Sequence, residues 1–193
     1  MKFVVPDGAT PIDADEAEAL LPEHITTQRE LNSWESLNIL QATRWGLSRK
    51  RADYLSSEFV RVLHRQMFNK TWAWAGTYRK SDKNLGVPWR TVATEVFKAI
   101  GDARYWLDEA VYDGTESALR LHYRMVVIHP FVNGNGRHAR LLADILLFNL
   151  DHSPIRWGGT ELDSVSEKRS RYLTALRAAD RGDFAPLLSY RSG

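Results

Sequence analysis

Apolar residues return every three or four positions along most of this chain, a period that predicts helices. A short helix is expected from Glu16 to Leu21, ended by Pro22. A long one follows from Thr27 to about Trp45, with Leu31, Trp34, Leu37 or Asn38, and Gln41 or Ala42 at helical spacing. A third runs from about Ser56 to Asn69, where Phe59, Val60, Leu63, Met67 and Phe68 form one apolar stripe and Ser56 or Ser57 serves as N-cap. The texture then changes to TWAWAGTYRKSDKNLGVPWRT, polar and turn-rich, which predicts a loop or short hairpin over roughly Tyr78 to Trp89. Helical period resumes from Val92 to Tyr112 and from Thr115 to Ile128, broken at Asp113-Gly114. A further helix starts near Asn135 or Gly136, with Leu141, Ile145 and Phe148 on one face, and a last pair spans Ser164 to Ala179 and Phe184 to Tyr190. The expected architecture is an all-α bundle with one small hairpin.

The chain has 193 residues, 44% of them hydrophobic, enough for one domain with its own core. No internal repeat or Pro/Gly-rich linker divides it, so residues 1–193 read as a single domain, with 1–13 flexible. Twenty-six basic against 24 acidic side chains give a net charge of +2, too small to point to nucleic acid or an acidic membrane. The absence of cysteine excludes disulfides, thiolate metal sites and a cysteine nucleophile. The N-terminus lacks the pattern of a signal peptide and no run is long enough to cross a membrane, so a cytoplasmic location is the default expectation.

The chemistry concentrates in His129 to Arg140, HPFVNGNGRHAR. Pro130 disfavours helical geometry at His129, which places the imidazole at a helix exit. Gly134 and Gly136 let backbone N–H groups converge on an anion where the next helix presents its unpaired amides and positive dipole end. Arg137 and Arg140, three apart on that helix, offer planar donor forks to phosphate oxygens. A lone histidine or arginine pair would be ordinary structure; the glycine nest between them makes this a phosphate site with a base. Gly134-Asn135-Gly136-Arg137-His138-Ala139 also fits G-x-G-x-x-[G/A], the dinucleotide fingerprint, but a helical period precedes it and no alternation of strands and helices flanks it. His24, His64, His122, His138 and His152 show no metal-ligand spacing and read as surface or core residues. The seven tryptophans read as core and flap packing.

The 129–140 run resembles the signature of the Fic (filamentation induced by cAMP) family, HPFx[D/E]GN[G/K]RxxR, at every fixed position but one. Trp74 to Arg79 with Lys83, Asn84, Leu85, Gly86 and Val87 looks like that family's flap hairpin, and the layout is similar to the subgroup called mobile mystery protein B. The resemblance implies transfer of AMP from ATP, with Mg²⁺, to a Ser, Thr or Tyr hydroxyl of a target protein. His129 would be the base, the amides near Gly134, Asn135 and Gly136 would hold the α-phosphate, and Arg137 and Arg140 the outer phosphates. The flap would pair with the target's backbone. The departure is Asn133, where the family has an acid that coordinates Mg²⁺; an amide oxygen brings no negative charge. Two readings stay open here: a transferase, or a Fic-fold regulatory protein with impaired chemistry. Thr26-x-x-x-Glu30 partly matches the family's inhibitory motif, which implies a Glu30–Arg140 ion pair, while Thr27-x-x-Glu30 is equally a helix capping box. The subgroup resemblance also implies a companion antitoxin or DNA-binding protein.

Overall fold

The computed structural model describes residues 12–155, 157 and 167–191. The flexible start expected at 1–13 falls outside this range up to residue 11, as do residues 164–166 of the expected penultimate helix. Eight α-helices are described: α1 (Ala14–Ala17), α2 (Gln28–Gly46), α3 (Ser57–Phe68), α4 (Val92–Asp108), α5 (Gly114–Ile128), α6 (Asn135–Asn149), α7 (Glu167–Ala179) and α8 (Ala185–Leu188). Single 3₁₀ turns cover Trp89–Thr91 and Ser189–Arg191. None of these helices is long and apolar enough to cross a membrane.

Side-chain caps set several boundaries close to where the sequence put them. Thr27 and Glu30 close α2 with a complete capping box, Ser56 accepts from Phe59 N–H at the start of α3, and Asp113 accepts from Glu116 N–H at the start of α5. Three helices are shorter than expected, one of them α8, which gives way at Ser189 to the 3₁₀ turn Ser189–Arg191. α1 covers only Ala14–Ala17, since Leu21 and Ala73 pair main chain with Thr71 and Ala19 instead. α4 stops at Asp108 rather than Tyr112 because Ala110 turns left-handed at φ 50° and Val111 N–H returns to Trp106 O, a Schellman closure without glycine.

One apolar cluster runs through α2, α3, α4, α5 and α6, and α7 and α8 pack against it with Tyr172, Leu176 and Leu187. In α3 the predicted stripe is the buried face. In α2 the buried positions are Leu31, Glu35, Asn38, Ala42 and Gly46, while Leu37 and Leu40 face solvent. Burying Asn38 works because its amide caps two main-chain groups, Gln66 O at 3.1 Å and Lys70 N at 3.1 Å.

The expected hairpin over Tyr78–Trp89 is not formed: among the described residues the only β-type pairing is an isolated bridge between Leu20 and Trp72. Residue 79 accounts for this. Its guanidinium takes the carbonyls of Ser81 and Val87, so those groups face a side chain instead of a partner strand. The segment lies as an irregular flap across the α5–α6 connection, with Arg79 N–H on Pro130 O at 3.0 Å and Val87 N–H on Ile128 O at 3.3 Å.

Candidate active site

The site occupies the turn between α5 and α6. His129 is the C-cap of α5 and stands left-handed at φ 53°, ψ 60°. Pro130 bars the right-handed helical well to the residue before it, and the chain leaves the helix here. The imidazole is buried, and Nδ1 lies 2.9 Å from Val126 O. A carbonyl can only accept, so Nδ1 carries the proton and Nε2 keeps its lone pair. Burial pulls the imidazole below its ordinary basicity; the Val126 bond opposes this, and the Arg79 charge adds to it.

The loop that follows is held from three sides. Asn135 folds its amide back onto Phe131, accepting from its N–H at 2.8 Å and donating to its carbonyl at 2.9 Å. Phe131 stacks on the His64 ring at 3.7 Å and 14°. His64 in turn donates from Nε2 to Asn133 O at 3.1 Å and accepts from Gly76 N–H at Nδ1, 2.9 Å away. Full burial holds His64 well below the ordinary imidazole range, so it is a neutral bracket between α3, the flap root and the loop.

Gly134 caps α6 at φ 77° with no side chain over the first amides, and its face lies against the Phe68 ring, where a Cβ would come within 2.4 Å. Around Gly136 the space is open: the nearest group to a Cβ there is Nη2 of Arg140, at 3.9 Å. Uncovered amides and an adjoining guanidinium make an anion cradle. Arg140 is buried over the Tyr172 ring, 5.5 Å from its centroid, and has no ion-pair partner among the described residues. Arg137 is differently placed. Its Nη1 meets Glu35 Oε2 at 2.7 Å, its Nη2 donates to Asn133 Oδ1 at 3.2 Å, and its guanidinium lies over Phe68.

The structure thus gathers His129, Asn133, Gly134, Asn135, Gly136, Arg137 and Arg140 around one turn. It does not bring Glu30 there. That carboxylate accepts from the N–H groups of Thr26 and Thr27, both at 2.9 Å, which hold it below the usual carboxylate range, and it stays exposed at the start of α2. Of the flap residues, Gly86 lies against His129 Cβ, and Asn84 and Leu85 are exposed. Lys83 is turned away, its ammonium buried between Asp13 at 2.5 Å and Glu16 at 2.6 Å. Sequence reasoning missed Glu35 and Arg79. The available signal for Glu35 was a carboxylate four residues after Leu31, inside the stripe that must be buried.

Residues 54–147 match the model of the Fic/DOC family. Over that stretch the chain belongs to the Fic/DOC family. Over 145 residues, 73% of this chain, it is 28% identical to protein adenylyltransferase fic-1 of Caenorhabditis elegans, of which that stretch is 27%. It therefore spans about a quarter of that relative's length. A shorter stretch of 69 residues is 38% identical to protein adenylyltransferase Fic of Drosophila melanogaster, covering 36% of this chain and 13% of that one. Among solved structures, Fic-1 from C. elegans superposes with a TM-score of 0.65 at 26% identity, covering 91% of this chain and 51% of that one. BepC of Bartonella tribocorum, solved with bound AMPPNP, gives 0.68 at 15%, covering 93% and 96%, and shares the fold. No sheet precedes the glycine turn among the described residues; helix α5 does, which removes the dinucleotide-fold alternative for this Fic/DOC chain.

Proposed function

We propose that this chain transfers AMP from ATP to a Ser, Thr or Tyr hydroxyl of a protein target. The observation that carries the reading is that His129, whose Nδ1–H is held by Val126 O so that Nε2 is the basic nitrogen, stands one loop before the N-terminal amides of α6. Phosphate oxygens of ATP accept from those amides and from Arg137 and Arg140. The hydroxyl oxygen bonds to the α-phosphorus, its proton passes to Nε2 of His129, and the bond to the β-phosphate oxygen breaks to release pyrophosphate. Asn84, Leu85 and Gly86 present the flap edge on which the target's backbone is laid. ATP supply places the reaction in the cytoplasm.

Two features temper the resting enzyme. Glu35 occupies Arg137, so the arginine reaches phosphate only when that pair opens; autoinhibition belongs to Glu35 and not to Glu30. The protein side also fits magnesium poorly. Asn133 Oδ1 already accepts from Gly134 N–H at 2.6 Å and from Arg137, and the described residues hold no group of three His, Cys, Asp or Glu able to hold a metal. Mg²⁺ arriving with ATP would meet the Asn133 amide rather than a carboxylate at this turn, and would supply charge neutralisation at the phosphates.

Intact-mass analysis of Glu35→Gly incubated with ATP, with and without cell extract, tests the reading. A gain of one AMP on the chain or on an extract protein is expected. Unchanged masses, with calorimetry silent for ATP, would leave the second reading that Asn133 favours, a regulatory Fic fold without transfer.

A further inference from the structure

Three consecutive carbonyls at the α5 exit accept hydrogen bonds from one residue. Arg79 reaches Ile128 O through Nη2 at 3.4 Å, His129 O through Nε at 2.7 Å and Pro130 O through its backbone N–H at 3.0 Å. The same guanidinium gathers the flap, donating from Nη1 to Ser81 O at 2.9 Å and from Nη2 to Val87 O. Its side chain is fully buried, and its nearest acid, Asp82, lies 3.7 Å away and is mostly exposed. A buried guanidinium is costly unless its donors are filled, and here backbone carbonyls fill them.

The carbonyls it fills are those that most need a partner. The last carbonyls of a helix have no intrahelical donor, and a cation near them also answers the negative end of the helix dipole. His129 stands left-handed at φ 53°, a conformation that costs about 1–2 kcal/mol for a residue with a Cβ and persists only where surroundings over-determine it. Pro130 disfavours the right-handed alternative and the Nδ1 bond to Val126 O holds the ring, and the contacts of Arg79 hold the carbonyls on either side of that backbone. Gly86 shows how closely the three parts meet: a Cβ there would lie 2.7 Å from Arg79 Nη2, 2.7 Å from His129 Cβ and 3.0 Å from Ile128 O.

We infer that Arg79 is the positioning residue of this site, a buried clamp that fixes His129 in its left-handed pose with Nδ1 on Val126 O and sets the flap over it in one register. It touches neither the phosphate cradle nor the reacting atoms, and acts through His129. The inference rests on the transferase reading for its kinetic consequence, while its structural consequence is independent of any reaction. Substituting Arg79 frees the flap and the helix exit together, misplacing the base while the α6 amides, Arg137 and Arg140 stay as they are. A base displaced by about 1 Å costs roughly 100-fold in turnover.

The test uses Arg79→Met, which keeps the apolar stem, and Arg79→Lys, which keeps the charge and loses the fork; the second is read if the first does not fold. The His129 ring is followed by ¹⁵N-resolved NMR across a pH titration of the full chain without nucleotide. In wild type the ring is the Nδ1–H tautomer; in either variant the Nε2–H form is expected to appear. In Arg79→Met the midpoint also moves up, because the cation that disfavours the imidazolium is gone. Labelling in a Glu35→Gly background is expected to lose about 100-fold in kcat with KM for ATP within about twofold. A role in stability alone leaves the folded fraction's His129 tautomer and midpoint as in wild type, and that result overturns the proposal. If Glu35→Gly itself transfers nothing, the transferase reading fails, while the NMR titration still decides the clamp.

Discussion

Glu35 Oε2 lies 2.7 Å from Arg137 Nη1, and Oε1 of the same carboxylate accepts from Trp72 Nε1 at 2.7 Å. The carboxylate is nearly buried, so the pair is little screened by solvent, and the indole fixes the acid in the pose that meets the arginine. A guanidinium held this way has fewer donors for phosphate. Glu35→Gly is expected to raise self-labelling or target labelling with radiolabelled ATP about 10-fold or more, since a charge-assisted bond contributes about 1.5–3 kcal/mol. Glu30→Gly is expected to loosen the start of α2 and leave labelling unchanged. Equal rates in Glu35→Gly and wild type would remove the inhibitory role.

The base has its own signature. His129→Ala is expected to lower labelling by about 100-fold or more while the ATP-induced rise in melting temperature persists, because the cradle belongs to α6. The pH dependence follows from the site: burial holds the imidazole below its ordinary 6.5, so the neutral base survives to lower pH than a free histidine. Turnover in Glu35→Gly should therefore begin to fall only below that pH on acidification. An acidic limb above it contradicts the environment described for His129.

What the sequence made legible is local. The α3 stripe, the Ser56 cap, the break at Asp113-Gly114 and the glycine turn before α6 each rest on residues a few positions apart, and each stands where those residues put it. Glu30 shows the limit. Its spacing from Thr26 satisfied a long-range motif and its spacing from Thr27 a cap, and the cap prevails because its amides lie within the same turn while Arg140 does not come near. Glu35 and Arg79 were hidden for the opposite reason: their partners lie 102 and 50 residues away. The hairpin expectation failed on Arg79 as well, since period and turn residues cannot show that a side chain will take the carbonyls a second strand needs.

The two glycines of the turn have different jobs. Gly134 combines φ 77° with a Phe68 ring that a Cβ would overlap, so Gly134→Ala is expected to destabilise the fold by about 2 kcal/mol or more. Gly136 has open space on its Cβ side, so Gly136→Ala should fold normally and lose nucleotide affinity instead, its methyl standing where phosphate approaches beside Arg140. Urea unfolding and calorimetry with ATP separate the two effects. A Gly136→Ala variant that binds ATP as wild type does would move the nucleotide off this turn.

Beyond the site, Asp144 of α6 makes stability depend on pH. Its carboxylate anchors the segment after α6, accepting from Trp157 Nε1 at 3.1 Å on both oxygens and from Ile155 N–H at 3.2 Å. Desolvation outweighs these donors and the Arg140 charge, and raises the group from 3.8 to about 6. The folded chain therefore holds a proton that the unfolded chain releases, and the stabilisation this gives is fully present below the unfolded value and lost as pH rises through about 6. The loss is on the order of 3 kcal/mol. Asp144→Asn keeps an acceptor for Trp157 and removes the titration, so its advantage over wild type should grow between about pH 4 and about pH 7 and then level off. Urea unfolding of both proteins across that range measures it, and parallel curves would show that Asp144 ionises in the folded chain as it does in the unfolded one.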